Sequence, residues 1–445
     1  ILTKDKKKNP LPSSSREELS RKATISMGYF YFQWFWLLMS VVSSIVLVFV
    51  LKIVVFLWWR PRRIEQHFSK QGIKGPPYHL FIGNLKELVG LTLKASSHPL
   101  MPYSHNILPR VLSFYHHWKK IYGTSFLVWF GPTARLTISD PALIREIFIL
   151  KSDCFEKNES PPLVRKLEGD GLLTLKGEKW AHHRKIMTPT FYVENLKLIN
   201  ERRKVLSASC EVESAEEKPY DLLEHMIRAN LKGPNHQTIT VHDMVEECKT
   251  IFFAGKDTTS NLMTWATILL AMHPQWQELA REEVLRVCGA RDIPSKDDLP
   301  KLKLLGMILN ESLRLYPPAV ATIRRTKTDV QLGGLDIPRG IELLVPTVAV
   351  HHDSRLWGHD ATSFNPARFA QGVAHAAKHP MAFMPFGLGA RRCIGQNLAV
   401  LQAKLATAMM LQRFSFDLAP SYRHAPAVLM LLYPQYGAPI IFRKL

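Results

Sequence analysis

The chain has 445 residues, 46% of them hydrophobic, which suffices for one large domain or a few smaller ones with their own cores. Its net charge of +20 is spread along the sequence with no basic stripe interleaved with aromatics, a pattern that argues against nucleic acid and fits a membrane surface or an acidic protein partner. The five cysteines, at positions 154, 210, 248, 288 and 393, are odd in number and include no Cys-x-x-Cys pair, which argues against a disulfide framework or a zinc ribbon and fits a reducing compartment.

Residues 1–26 precede the first methionine and are rich in lysine and arginine; they read as a disordered or non-native extension. From Trp34 to Leu51 the chain carries no charge, and after Lys52 the apolar run resumes to Trp59. A helix needs about 20 such residues to cross a bilayer. Tyr29, Tyr31, Trp34 and Trp36 mark one end, and Trp58 and Trp59 the other, as expected at membrane interfaces. The run is too long for a cleavable signal peptide, so residues 28–59 are expected to form an uncleaved anchor. Arg60, Arg62 and Arg63 follow it directly and predict a cytosolic location for the rest of the chain, whereas Lys4, Lys6, Lys7, Lys8, Arg16, Arg21 and Lys22 in front of the anchor argue the other way and are set aside with the extension. A basic, proline-containing linker spans 60–77, and residues 78–445 form the main domain.

That domain reads as mainly α with a small β subdomain. Ser113–Gly123 predicts a helix and Ser125–Ser139 a short hairpin. Thr240 and Asp243 have capping-box spacing and open a long helix that runs to Met272, before Pro274. A helix over Gln275–Cys288 stops at Gly289, and another near Lys303–Tyr316 stops at Pro317-Pro318. Val330–Val350 has strand-like runs broken by Gly333-Gly334 and Pro338. A last helix is expected from Cys393 through Phe414.

The stretch Pro385-Phe-Gly-Leu-Gly-Ala-Arg-Arg-Cys-Ile-Gly places three glycines around one thiol. If Cys393 ligates a metal, it must do so as thiolate. A position at the start of the last helix would favour that anion, and the glycines would let backbone N–H groups approach the sulfur. Phe386 can shield one side from water, and Arg391 would serve a nearby anion. A haem, with its two propionates, accounts for both thiolate and arginine. Within the long helix, Ala254-Gly-Lys-Asp257-Thr258 is a poor helix interior; it suits either a hydroxyl and a carboxylate facing a reacting oxygen at a bend, or a threonine bonding back to its own helix. Glu311 and Arg314 stand at i, i+3, with Arg368 as a second candidate partner for Glu311. Trp180 and Arg184 lie one helical turn apart.

Together these motifs resemble the cytochrome P450 family of haem-thiolate monooxygenases, from about Gly75 to the C-terminus. The resemblance implies that Cys393 is the proximal iron ligand, with Phe386 and Gly387 lining its loop. It implies that Arg391, Arg324, Trp180 and Arg184 bind the propionates and that Asp257 and Thr258, next to Ala254, deliver protons at the reacting oxygen. Glu311, Arg314 and Arg368 would form a structural triad behind the haem. Runs such as Glu311-Ser-Leu-Arg-Leu-Tyr-Pro-Pro318 and Phe364-Asn-Pro-Ala-Arg-Phe369 look like plant brassinosteroid-inactivating C-26 hydroxylases. That group implies heme b, O2 and NADPH-derived electrons from a partner reductase, which would dock on a basic face including Arg392. It further implies an endoplasmic reticulum membrane location, a small hydrophobic substrate and no nucleic acid. Phe252, Phe253, Val320, Ala321, Thr322, Leu432 and Tyr433 are then candidates for the pocket wall. The chain departs from the family between Phe191 and Thr240. Only two helices fit there, Val193–Cys210 and Pro219–Leu231, where the family has at least five, so a central deletion is expected near Asn200.

Overall fold

The computed structural model describes residues 13–101, 103–191, 239–289 and 293–445, with isolated positions in between (222–223, 226–227 and 291). The two helices expected over Val193–Cys210 and Pro219–Leu231, and the junction near Asn200, lie outside the described residues apart from those isolated positions. Contacts divide the chain into two units, residues 1–64 and 65–445.

Helix α1, Ser13–Val54, and a π-helical turn at Val55–Trp59 lie in the first unit, and helix α2, Arg60–Lys70, begins in the first unit and ends in the second. Residues 13–26 belong to the first turns of helix α1. The stretch from Phe32 is long and apolar enough to cross a membrane, and every side chain from Phe32 to Phe56 is exposed. Arg62 lies 3.9 Å above the ring of Trp58, and Arg63 lies 5.1 Å above that of Trp59.

The linker is more ordered than its composition suggests. In the second unit, the end of α2 docks on a hairpin. Gln71 Nε2 donates to the carbonyl of Asp336 (3.1 Å), Asp336 N–H donates to Gln71 Oε1 (2.7 Å), and Phe68 is fully buried.

Helix α3 (Leu85–Ser96) and helix α4 (Ser113–Tyr122) precede the hairpin β1 (Leu127–Phe130) and β2 (Thr133–Thr137). The hairpin joins β3 (Phe155–Lys157), β4 (Thr322–Thr326) and β7 (Glu342–Val345) in a five-stranded sheet of order β1-β2-β7-β4-β3. Only β2 and β7 run parallel; the other pairs are antiparallel, and Lys157 stands opposite Arg324. Strands β5 (Val330–Leu332) and β6 (Leu335–Ile337) form the hairpin turned by Gly333-Gly334. The strand pattern ends at Val345; Thr347–His351 is a short helix, because Pro346 breaks the ladder and pre-sets a helix start.

Helix α5 covers Gly177–Met187, α6 Val241–Met272, α7 Pro274–Cys288 and α8 Lys303–Leu315. The expected capping box of α6 is present: Asp243 N–H donates to Thr240 Oγ1 (3.1 Å) and Thr240 N–H to Asp243 Oδ2 (3.1 Å). The last helix, α9, spans Gln396–Arg413 and leads into β8 (Phe414–Leu418), which pairs with β11 (Ile440–Lys444). Between them, β9 (Pro426–Val428) and β10 (Leu432–Pro434) form a small ribbon.

The core lies where the C-terminal half of α6 meets α7, α8 and α9. Trp265, Ile268, Leu269, Ile308, Leu315 and Leu411 are fully buried, and Trp265 stacks on Tyr316 with ring centroids 4.2 Å apart. An indole of this kind buries about 200 Å², or roughly 5 kcal/mol of gross apolar transfer. This core fixes α6 and α8, the two helices that flank the candidate site.

Candidate functional site

Cys393 lies in a tight loop three residues before α9 begins, so the expected start of that helix at Cys393 is corrected to Gln396. Gly395, the N-cap, has a nonhelical backbone, which keeps the thiol out of the first turn. The loop closes on itself. Gly387 N–H donates to Met384 O (3.1 Å), Arg392 N–H to Gly389 O (3.1 Å) and Cys393 N–H to Phe386 O (2.8 Å). Gly387 and Gly389 both take positive φ, at 70° and 65°. A Cβ on Gly389 would fall 1.9 Å from the carbonyl oxygen of Phe148, so here the bare backbone is required by a neighbouring segment. Phe386 packs against Leu262, Leu309, Leu313 and Ala403 and closes the loop on its core side.

Cys393 is exposed by surface area, yet its sulfur is crowded by protein, and burial pushes the thiol up from its usual range. The Gly395 N–H, Arg184 and Arg392 oppose that shift and favour the thiolate.

Beside the loop lies a cluster of cations. Arg391 stacks 3.9 Å above the Trp180 ring and donates through Nη1 to the Leu175 carbonyl (2.8 Å). Burial, with added repulsion from Arg324 and Arg184, lowers Arg391 to about 10. Arg324 is likewise lowered to about 10 by burial and lies over the Phe148 ring at 4.7 Å. The cluster has a fourth member that sequence reasoning missed. Lys157, opposite Arg324 in the sheet, donates to the Leu173 carbonyl (2.6 Å). Burial foremost, then repulsion from Arg324 and Arg391, brings it down to about 8 against the pull of Glu168. Among the described residues, Arg184, Arg324 and Arg391 form no ion pair with a carboxylate. Partly buried guanidinium groups that repel one another and lack acid partners suit a doubly anionic ligand. A thiol alongside them suits a soft metal. The donor set therefore fits haem.

The triad is assembled. Arg314 donates from Nε to Glu311 Oε2 and from Nη2 to Glu311 Oε1, both at 2.7 Å, and Arg368 Nε donates to Glu311 Oε1 at 3.1 Å. Arg314 Nη1 also reaches the carbonyls of His351 (2.8 Å) and Ala361 (2.6 Å). A second residue missed in the sequence, His351, joins this triad to the cysteine loop. Its Nε2 accepts Met384 N–H (3.1 Å), which leaves Nδ1–H to donate to the Arg314 carbonyl (3.1 Å). Burial holds His351 neutral, down to about 3, helped by His352 and Arg314.

Residues 254–259 lie within an uninterrupted α6, with no break at Gly255. Thr258 Oγ1 donates to the Ala254 carbonyl at 2.5 Å, the back-bond to its own helix that is one of the two expected readings. Asp257 is half-buried. The pocket-wall candidates differ in exposure. Val320 and Leu432 are buried in the main core, Phe252 is 69% exposed beneath Lys256, Tyr433 is exposed, and Phe253, Ala321 and Thr322 are half-buried. Carbonyl bonding explains Leu432: it accepts from Trp265 Nε1 (3.3 Å) and from Asn261.

The cytochrome P450 family model matches residues 96–208 and 195–436, two stretches that overlap. The chain is 55% identical to Cytochrome P450 734A1 of Arabidopsis thaliana over 507 aligned positions, covering 92% of this chain and 96% of that protein. It is 48% identical to Cytochrome P450 734A6 of Oryza sativa subsp. japonica over 505 positions (88% and 93%), and 36% identical to Cytochrome P450 CYP72A616 of Paris polyphylla over 493 positions (88% and 95%). With the thiol loop, the cation cluster and the buried triad in place, the conclusion is direct: the chain belongs to the cytochrome P450 family and is a haem-iron monooxygenase that uses O2, electrons from a reductase and a hydrophobic substrate.

Proposed function

We propose that this protein is a membrane-anchored hydroxylase of a steroid hormone, acting on a brassinosteroid side chain and so inactivating it. The observation that carries the reading is the 55% identity to Cytochrome P450 734A1 across 92% of the chain, together with the sequence runs that resemble brassinosteroid-inactivating hydroxylases. Haem, when bound, supplies the activation of O2 and the transfer of one oxygen atom.

The chain's own residues then have distinct tasks. Cys393 offers its sulfur to the iron, and the Gly395 N–H, Arg184 and Arg392 make the thiolate accessible despite its burial. Arg391, Arg324, Arg184 and Lys157 neutralise the propionates, with Trp180 holding the plane of Arg391. Asp257 and Thr258 would pass protons to the reacting oxygen, the Thr258 hydroxyl first leaving the Ala254 carbonyl to which it donates here. Phe386 keeps water from the core side of the sulfur. Electrons come from NADPH through a partner reductase docked on the basic face around Arg392. Arg60, Arg62 and Arg63, directly after the anchor, support a cytosolic catalytic domain at the endoplasmic reticulum membrane.

The test is a substrate-induced spectral shift. A brassinosteroid should move the haem band, whereas a terpenoid of another class, a fatty acid and a cytokinin should not. A shift with one of those instead would replace the substrate while keeping the chemistry.

A second reading has its own support. The 507 positions aligned with the Arabidopsis relative exceed the 445 residues present, and the two family matches meet at 195–208. On this reading the chain lacks a central segment near Asn200, several helices of the family fold are missing, and turnover is weakened or lost through solvent entry. Restoring a relative's segment at that point should raise turnover if this reading holds and leave it unchanged if it does not.

A further inference from the structure

We infer that Glu247 is a positioning residue that holds helix α5 and the loop 168–175 against helix α6, and so keeps the cation cluster in register with the carboxylates of haem. The inference rests on the haem-binding reading and deepens it.

Glu247 is fully buried and His183 is 2% exposed. A carboxylate in that position costs several kcal/mol unless its oxygens are satisfied. Both are: Oε1 lies 2.6 Å from His183 Nδ1, and Oε2 accepts Leu172 N–H at 2.8 Å. The first bond ties α5 to α6, and the second ties the loop to α6. Neighbouring residues on the same stripe of α6 repeat the pattern at i−4, i−1 and i+3. Asp243 pairs with Lys179 (2.7 Å), Glu246 Oε2 accepts Asp170 N–H (2.8 Å), and Thr250 Oγ1 donates to the Glu168 carbonyl (2.7 Å). The loop lies so close that a Cβ on Gly171 would fall 2.6 Å from Glu247 Oε2 and 2.5 Å from Thr250 Oγ1.

The far side of these elements carries the cluster. The Leu173 carbonyl accepts from Lys157 and the Leu175 carbonyl from Arg391. On α5, Lys179 and His183 face α6, while Trp180 and Arg184 follow each by one residue, about 100° around the axis. That second face meets Arg391 and Cys393. The Lys179 and His183 bonds therefore fix the rotation of α5, and with it the aim of Trp180 and Arg184. Glu247 touches neither Arg391 nor Cys393 through any of its bonds; it acts through His183 and Leu172.

The experiment is a double-mutant cycle on the haem-loaded full chain, reading the rate of haem transfer to excess apomyoglobin. Glu247→Ala and Arg184→Ala are each expected to speed transfer about tenfold. The double variant should fall well short of the product of the two single effects, because part of the Glu247 effect runs through α5 and Arg184 and the rest through the loop that holds Lys157 and Arg391. Effects that multiply to about a hundredfold would overturn the inference. If Glu247→Ala does not fold, Glu247→Gln, which keeps the volume and one acceptor, replaces it in the same cycle. Hydrogen exchange on the haem-free Glu247→Gln protein provides a readout that needs no haem. Faster exchange confined to 168–187, with 303–315 unchanged, supports the inference; unchanged exchange in 168–187 overturns it. A wild-type chain that takes up no haem would defeat the proposed function, and the exchange measurement would still decide the role of Glu247.

Discussion

Arg314 and Glu311 meet as a two-pronged ion pair, with both N···O distances at 2.7 Å and both side chains fully buried one helical turn apart on α8. A pair this dry is of little value as a net source of stability, but removing one partner strands a charge. Arg314→Ala is expected to cost about 3–5 kcal/mol and to abolish haem incorporation. Arg314→Lys should rescue little, because an ammonium cannot span both carboxylate oxygens. Arg368→Ala should cost less, since Arg314 still satisfies Glu311. Denaturant midpoints of the purified variants, read beside haem content, check the ranking.

The cation cluster makes an opposite prediction for the empty and loaded protein. Arg324 and Arg184 both repel Arg391 across the site. Arg391→Ala should leave the haem-free protein as stable as wild type or slightly more so, while haem dissociates about tenfold faster, a loss of one charge-assisted contact. Parallel thermal unfolding and haem-transfer rates test this. Equal destabilisation of both states would show that Arg391 is only structural.

Two glycines of the cysteine loop separate strain from collision. Gly387 has φ of 70°, and a Cβ there would meet nothing closer than the Arg391 carbonyl at 3.9 Å, so Gly387→Ala should cost about 1 kcal/mol. At Gly389 the added methyl would also strike the Phe148 carbonyl, and Gly389→Ala should cost roughly 3 kcal/mol or more and displace Cys393. Similar costs at the two positions would contradict the packing of the loop on Phe148.

Stability should fall on mild acidification. Burial lowers His105, His351 and His352 to about 3 and His424 to about 4, with neighbouring histidines or arginines adding to the effect. Each binds a proton more readily unfolded than folded. Their stabilising effect is therefore complete above pH 6.5 and is lost as pH falls towards 4, by up to about 1.4 kcal/mol per pH unit for each group. His424 sits in a bonded chain with Tyr316 (3.1 Å) and Tyr422 (2.9 Å), so His424→Gln should flatten the slope between pH 6.5 and 5. A denaturant midpoint independent of pH over that interval would refute the assignment.

What the sequence made legible was local or carried by side-chain type. The capping box at Thr240, the hairpin at Gly131, the stop at Gly289 and the glycine-bracketed thiol all depend on a few neighbouring residues. Arg368 could be offered to Glu311 only because both belong to familiar motifs. Lys157 and His351 went unseen because their partners are backbone carbonyls and amides, which have no residue-type signal. The His183–Glu247 pair spans 64 positions and joins a helix to a helix, so no periodicity announces it. Val320 and Leu432 are buried in the main core, and apolar character alone does not say whether a residue faces a ligand or the core.

The central claim is that Cys393 ligates haem iron as a thiolate. It is tested most directly by the absorption spectrum of the reduced, carbon monoxide-bound full chain. A strongly red-shifted Soret band, lost in Cys393→Ser, is the predicted result. A band at the position of histidine-ligated or unliganded haem, or a red-shifted band that survives Cys393→Ser, would contradict it.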